Sequence, residues 1–141
     1  MMHYKKKISF VNGSIFQEIM ITILHHKLGL FELLFISRSG AELLNNLTNN
    51  LILPEICLID LDSIGLDEVE SIKDVAERFP TIKLLGYTSD CNMNTAYFIK
   101  MGLLHVFVRN KLIDILNESY LFEYDFKQME KHLRKLDLTD F

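Results

Sequence analysis

Short apolar runs alternate with longer stretches whose apolar residues recur at helical spacing. ISFV (8–11) predicts a first strand, broken by Asn12-Gly13. Ser14 and Gln17 then form a capping-box pattern, and Ile15, Phe16, Ile19, Met20, Ile23, Leu24 and Leu28 predict the apolar face of a first helix that stops at Gly29. FELLFIS (31–37) predicts a second strand. Ser39 and Glu42 repeat the capping box ahead of a short helix carrying Ala41, Leu43, Leu44 and Leu47. TNNLILPE (48–55) is a loop leading into ICLID (56–60), the third strand.

A third helix is expected to start near Leu66. Asp67, Glu68 and Glu70 lie in its first turn, where the helix dipole favours acids; Val69, Ile72, Val75, Ala76 and Phe79 form its inner face, and Pro80 ends it. KLLGY (83–87) is a fourth strand. A helix from about Met93 to Met101 follows, stopped by Gly102. HVFV (105–108) is a fifth strand, with a fifth helix beginning near Lys111.

Strands written as continuous apolar runs and joined by helices imply a parallel sheet covered on both faces. Right-handed crossovers make this a doubly wound α/β domain of five β–α units. In such a sheet a ligand site lies beyond the carboxyl ends of the strands. Those ends carry Asn12-Gly13, Ser37, Asp60, Thr88 and Arg109. Asp60 invites a question, because a carboxylate at the end of a buried strand is costly unless something compensates it. It either caps a loop or serves a ligand site. Thr88 is either a loop hydroxyl or a member of the same site. Asp62 and Asp67 fit solvated positions near a helix start.

Composition narrows the classes. The 141 residues suit one domain, and 49% are hydrophobic, enough for one sizeable core. The net charge of −4, with both signs interspersed, argues against direct nucleic-acid binding. The apolar run after the basic start MMHYKKK is too short for a signal peptide, and no run has the length of a membrane span. Cys57 and Cys91 form no C-x-x-C pair; two reduced cysteines fit a cytoplasmic location. Adjacent His25 and His26 point different ways on a helix, and His3, His105 and His132 share no ligand spacing with them. No nucleophile–base arrangement is evident, and the Asn-Gly-Ser turn lacks the second glycine and the lysine of a phosphate-binding loop.

With PEICLIDLDS (54–63), LLGYTSD (84–90) and MGLLHVFVRN (101–110) in this order, and GLFELLFISRSGAELLNNL (29–47) matching in spacing, residues 6–120 resemble a receiver domain of bacterial two-component response regulators. The resemblance implies a flavodoxin-like (βα)5 fold, Asp60 as phosphoacceptor, and Thr88 and Arg109 as the residues that switch around a phosphate. It implies Mg²⁺ held around Asp60, with Asp62 and Asn12 as the remaining oxygen donors. Partners would be a histidine kinase or phosphotransfer protein, a DNA-binding output domain outside this chain, and a second copy in a homodimer. Residues 1–121 would form the receiver, and 122–141 a helical extension or linker, since Phe126, Met129, Leu133 and Leu136 recur at amphipathic spacing.

Several positions depart from the family pattern. Asn12-Gly13 replaces its acidic pair, Arg109 its lysine, Asn110 the following proline, Ser63-Ile64 its frequent Met-Pro, and Val106 its aromatic switch residue. Mg²⁺ is normally held by one or two carboxylates plus phosphate oxygens, so binding and phosphoryl transfer should both be weak. Arginine pairs bidentately with carboxylates, so Arg109 is expected to hold Asp60 in a salt bridge. Two functions follow: a receiver with weak or no Mg²⁺-dependent phosphorylation, or a phosphorylation-independent dimerisation module. A small flavodoxin-like reductase is a further alternative.

Overall fold

The computed structural model describes residues 6–29, 31–64 and 68–108. In chain order the elements are β1 (Lys7–Val11), α1 (Ile15–Leu28), β2 (Glu32–Ser37), α2 (Gly40–Asn49), β3 (Ile56–Asp60), α3 (Val69–Arg78), β4 (Lys83–Thr88), α4 (Thr95–Met101) and β5 (His105–Val108). The strands form one parallel sheet in the order β2-β1-β3-β4-β5. This is the doubly wound arrangement expected of consecutive right-handed crossovers, with the order reversing between β1 and β3. The expected fifth helix, the start of α3 at Leu66 and Asp67, Arg109, Asn110 and the 122–141 extension lie outside the described residues.

Alternation along the strands builds two cores. Val11, Cys57, Ile59, Leu84 and Val106 project to one face, where Leu43 and Leu47 of α2, Ile72 and Val75 of α3 and Phe98 of α4 pack on them. On the opposite face Phe10 meets Phe31 with ring centroids 5.6 Å apart, and Ile8, Ile21, Leu58 and Leu85 are buried. Asp60 and Tyr87 are register partners on β3 and β4, so they share this second face, the one α1 covers.

The caps follow their sequence signals. Ser14 Oγ accepts the Gln17 amide, and Gly29 ends α1 at φ 58°. Ser39 Oγ accepts the Glu42 amide, and the Glu42 carboxylate returns to the Arg38 N–H at 3.2 Å. The start of α4 differs from the expected Met93. Asn94 caps this helix through the Tyr97 amide, so its first residue is Thr95. The inner face of α1 also differs. Met20 and Ile21 are buried, whereas Ile15 and Ile19 are 68% and 52% exposed. The helix is apolar on almost every side, so periodicity could not choose among its faces. Only the backbone of Phe16, Leu24 and Leu28 is described. The face turned to the sheet includes Gln17, a consequence that matters at the strand ends.

Candidate functional site at the carboxyl ends of the strands

The sequence-predicted residues Asn12, Asp60, Asp62 and Thr88 all lie at the carboxyl ends of β1, β3 and β4 or directly after them. Asn12, Asp60 and Thr88 are buried; Asp60 is 5% exposed. Arg109 lies outside the described residues, and among those described no cation pairs with Asp60.

Asp60 enters this environment with little help. Its Oδ1 accepts the Asp62 N–H at 3.0 Å, closing an Asx turn. The Ser63 amide and hydroxyl bind its backbone carbonyl at 3.3 and 3.2 Å. Burial pushes the carboxyl up from its usual range and the nearby Asp62 charge adds to that shift, whereas the Asp62 N–H and, more weakly, the Ser63 hydroxyl and N–H oppose it.

Asp62 behaves differently. Its side chain is exposed, yet both carboxylate oxygens are engaged: Oδ1 accepts the Thr88 hydroxyl, and Oδ2 accepts the Ser89 N–H and hydroxyl, each at 2.8 Å. Partial desolvation raises its pKa, but these hydrogen bonds together outweigh it and hold the carboxyl below its usual value. Asp62 is therefore tied to the end of β4 rather than free in solvent near a helix start.

At the position of the first family acid, Asn12 is locked by neutral partners. Its Oδ1 accepts the Ser14 N–H at 2.7 Å, and its Nδ2 donates to Gln17 Oε1 at 3.1 Å and towards the Tyr87 hydroxyl at 3.4 Å. Tyr87 donates in turn to Gln17 Oε1 at 3.3 Å. Burial, then the Asp60 charge, drive the phenol well above its ordinary pKa, so it stays protonated as a donor. One residue on, the Gly13 N–H donates to Ser63 Oγ at 3.0 Å, and a Cβ at Gly13 would lie 3.2 Å from the Ser63 carbonyl oxygen. The β3–α3 turn closes over the space that a second acid would use.

Sequence reasoning missed Gln17, Tyr87, Ser63 and Ser89. Gln17 was legible only as a capping-box residue. The signal for Tyr87 was its place at the end of a buried strand, since a buried phenol needs a partner for its hydroxyl.

A divalent cation is implied by the resemblance, and the residues present do not fit one. A hard cation of this size takes six oxygens in near-octahedral geometry, usually including one or two carboxylates. Asn12 Oδ1 and both oxygens of Asp62 are already acceptors within the chain, and Asp60 Oδ1 accepts the Asp62 N–H. Among the described residues no three His, Cys, Asp or Glu side chains group as a metal site. Both cysteines are free; burial pushes the Cys57 thiol up to about 12, which leaves it inert at neutral pH. No described helix is long and apolar enough to cross a membrane.

The architecture has close counterparts among solved structures. The isolated receiver domain of RcsB from Salmonella enterica serovar Typhimurium, solved with the phosphomimetic BeF3⁻, superposes with a TM-score of 0.65 at 12% identity, covering 84% of this chain and 87% of that one. The BeF3-activated N-terminal receiver domain of Klebsiella pneumoniae RstA gives 0.65 at 18% identity, covering 84% and 99%. The response regulator domain of Thermotoga maritima CheB gives 0.64 at 12%, covering 93% and 96%. No protein-family profile matches the chain, and no curated protein sequence does. The chain has the receiver-domain fold of two-component response regulators, shared at low sequence identity.

Proposed function

We propose that this chain is a signal-transduction receiver domain in which Asp60 occupies the phosphoacceptor position and Mg²⁺-dependent phosphorylation is weak or absent. The observation that carries this reading is Asn12. It stands where an acid should help hold the cation, and its amide is spent on Ser14, Gln17 and Tyr87. Phosphoryl transfer to a carboxylate depends on positioning and on neutralising oxygen charge, and this site supplies little of either. Thr88 is the candidate switch hydroxyl. Arg109 is the candidate switch cation, and the stability of Asp60→Asn decides whether it also pairs with Asp60. Asp60, Asp62 and Asn12 are the donors a weakly bound Mg²⁺ would find.

Mass spectrometry after incubation with acetyl phosphate and Mg²⁺ tests the reading. The expected spectrum is the unmodified mass. Stoichiometric addition of a phosphoryl group, abolished in Asp60→Asn, would overturn it. A histidine kinase or phosphotransfer protein is the partner class that such an acceptor position implies, and a DNA-binding output domain would have to come from outside this chain.

A second reading, a phosphorylation-independent dimerisation module, is favoured by the α4–β5 segment. Tyr97, Ile99 and Leu104 are 42%, 47% and 60% exposed there, and Val106 is buried in the core where the family's aromatic lever would stand. Exposed apolar residues are the ones a partner surface would cover, where they form a contiguous patch. Sedimentation with and without beryllofluoride and Mg²⁺ separates the two readings. A dimer in both conditions supports the module. A monomer in both conditions supports the receiver with a weak or silent site, and a monomer that dimerises only with the mimic means that the site is alive and overturns both readings.

A further inference from the structure

β3 and β4 are joined by ladder hydrogen bonds as far as the Leu61 N–H and the Tyr87 carbonyl, 2.9 Å apart. Beyond that bond the two chains separate, β3 into its turn and β4 towards α4. Among the described residues the Asp62 carboxylate bridges this gap, with its three bonds to Thr88 and Ser89.

The bridge is directional. Thr88 has one hydroxyl proton, and it goes to Asp62. The same oxygen accepts the Asp90 N–H at 3.0 Å. Asp90 Oδ1 then accepts the Asn92 N–H at 2.9 Å, and the Asp90 carbonyl accepts the Met93 N–H at 3.2 Å. Asn94 follows as the cap of α4. The Asp90 N–H, the Thr88 hydroxyl and the Asp62 carboxylate form a relay that ends on Asp62, and Asp90, so placed, accepts the two N–H groups that lead to the cap of α4.

We infer that Asp62 is a built-in anion that latches the β4–α4 loop, taking the donors that an anionic group placed on Asp60 would need. Thr88 ends β4 and Ser89 follows it, and their hydroxyls and the Ser89 N–H already face a negative charge. The loop is thereby held without any chemical event at Asp60. Charge is required, not only shape. Asp62 offers acceptors on both oxygens, whereas an asparagine would turn an NH₂ towards either Thr88 or the Ser89 N–H and break the pattern.

The inference rests on the reading of Asp60 given above, and its test is independent of that reading. Amide hydrogen exchange is followed residue by residue in the unmodified protein and in Asp62→Asn, Asp62→Ala, Thr88→Val and Thr88→Ser. Loss of the latch is expected to speed exchange at Ser89 and Asp90 about tenfold or more in the first three variants, the factor appropriate to losing a hydrogen bond to a charged group. Leu58 and Ile59 in mid-sheet should keep wild-type protection. Thr88→Ser, which retains the hydroxyl, should keep the loop protected. The isosteric Asp62→Asn separates charge from packing, and wild-type protection of the mid-sheet amides excludes global unfolding of that variant. Protection at Ser89 and Asp90 within about twofold of wild type in Asp62→Asn would overturn the latch. A phosphorylated mass would instead overturn the reading of Asp60 and leave the latch standing.

Discussion

Replacing Asp60 with asparagine should stabilise the protein at neutral pH. Asp60 is 5% exposed, and its carboxylate accepts the Asp62 N–H at 3.0 Å, with the Ser63 hydroxyl and N–H as weaker donors. Asparagine keeps an oxygen for the Asp62 N–H, the strongest of these donors. The variant removes a buried charge that has no cation among the described residues and that lies near the Asp62 charge. A gain on the order of 1–2 kcal/mol is expected, within the range measured for relieving a buried polar penalty. For a domain of this size that corresponds to a rise in Tm of about 3–8 °C. The pH dependence gives the sign independently. The folded pKa of Asp60 is raised above its reference value of 3.8, so in the window above 3.8 the folded state binds more protons than the unfolded state. Wild-type stability therefore falls as pH rises through that window, by the linkage relation, and is flat with respect to Asp60 above it. The advantage of Asp60→Asn should be small near pH 3.8, grow as the native carboxyl ionises, and level off towards neutrality. Urea denaturation of both proteins across this range is the assay. A variant less stable than wild type at pH 7 would refute the reasoning. It would mean that a cation, with Arg109 the first candidate, pairs with Asp60 strongly enough to reverse the desolvation penalty, because removing one partner of a buried pair is costly.

Titration calorimetry with Mg²⁺ should give no sub-millimolar dissociation constant, since the oxygens of Asn12 and Asp62 already have donors in the chain; a sub-millimolar value would show that these bonds yield readily to the ion. Tyr87→Phe should lower stability by about 0.5–1.5 kcal/mol in urea denaturation, because the phenol supplies a donor to Gln17 and an acceptor to Asn12; an unchanged midpoint would mean that the hydroxyl adds nothing to the lock. Gly102→Ala should cost at least about 1 kcal/mol in the same assay, since φ is 126° there and the new Cβ would fall 2.4 Å from that of Ala76; wild-type stability would require both the turn and α3 to shift freely.

The fold was legible because its signals are local and mutually consistent. Each apolar run was bounded by a glycine, a proline or a cap, and five such runs joined by helices leave few parallel topologies. Asp60 and Thr88 could be placed because strand ends are easy to read and the architecture puts sites there. The inner face of α1 was not legible, since Ile15, Ile19, Met20 and Ile21 offer apolar surface all round and packing alone decides which is covered. Gln17 was hidden for the same reason, as its neighbours on the helix gave no hint that it faces the sheet. The role of Asp62 was hidden by a different cause. Its partners Thr88 and Ser89 lie 26 and 27 residues away, and a carboxylate just past a strand reads as solvated until the register of β3 on β4 brings those hydroxyls to it.

These features bear jointly on how the domain can respond to a signal. A ligand shifts a two-state equilibrium only by the difference in its affinity for the two states. At this site a newly arrived anion would have to displace Asp62 from Thr88 and Ser89, and a cation would have to draw Asn12 Oδ1 away from the Ser14 N–H. Each displacement breaks a hydrogen bond in order to make one, so the net gain is smaller than at a site with vacant donors and acids. The side of the sheet towards β5 offers no compensating lever, because Val106 is small, buried and packed into the core shared with α3 and α4. On the proposed reading, the Asp62 bonds to Thr88 and Ser89 that would weaken chemistry at Asp60 are the same ones that would steady the β4–α4 loop. On the dimerisation reading proposed above, the exposed Tyr97, Ile99 and Leu104 would be recognised in the shape they already have rather than after an event at Asp60.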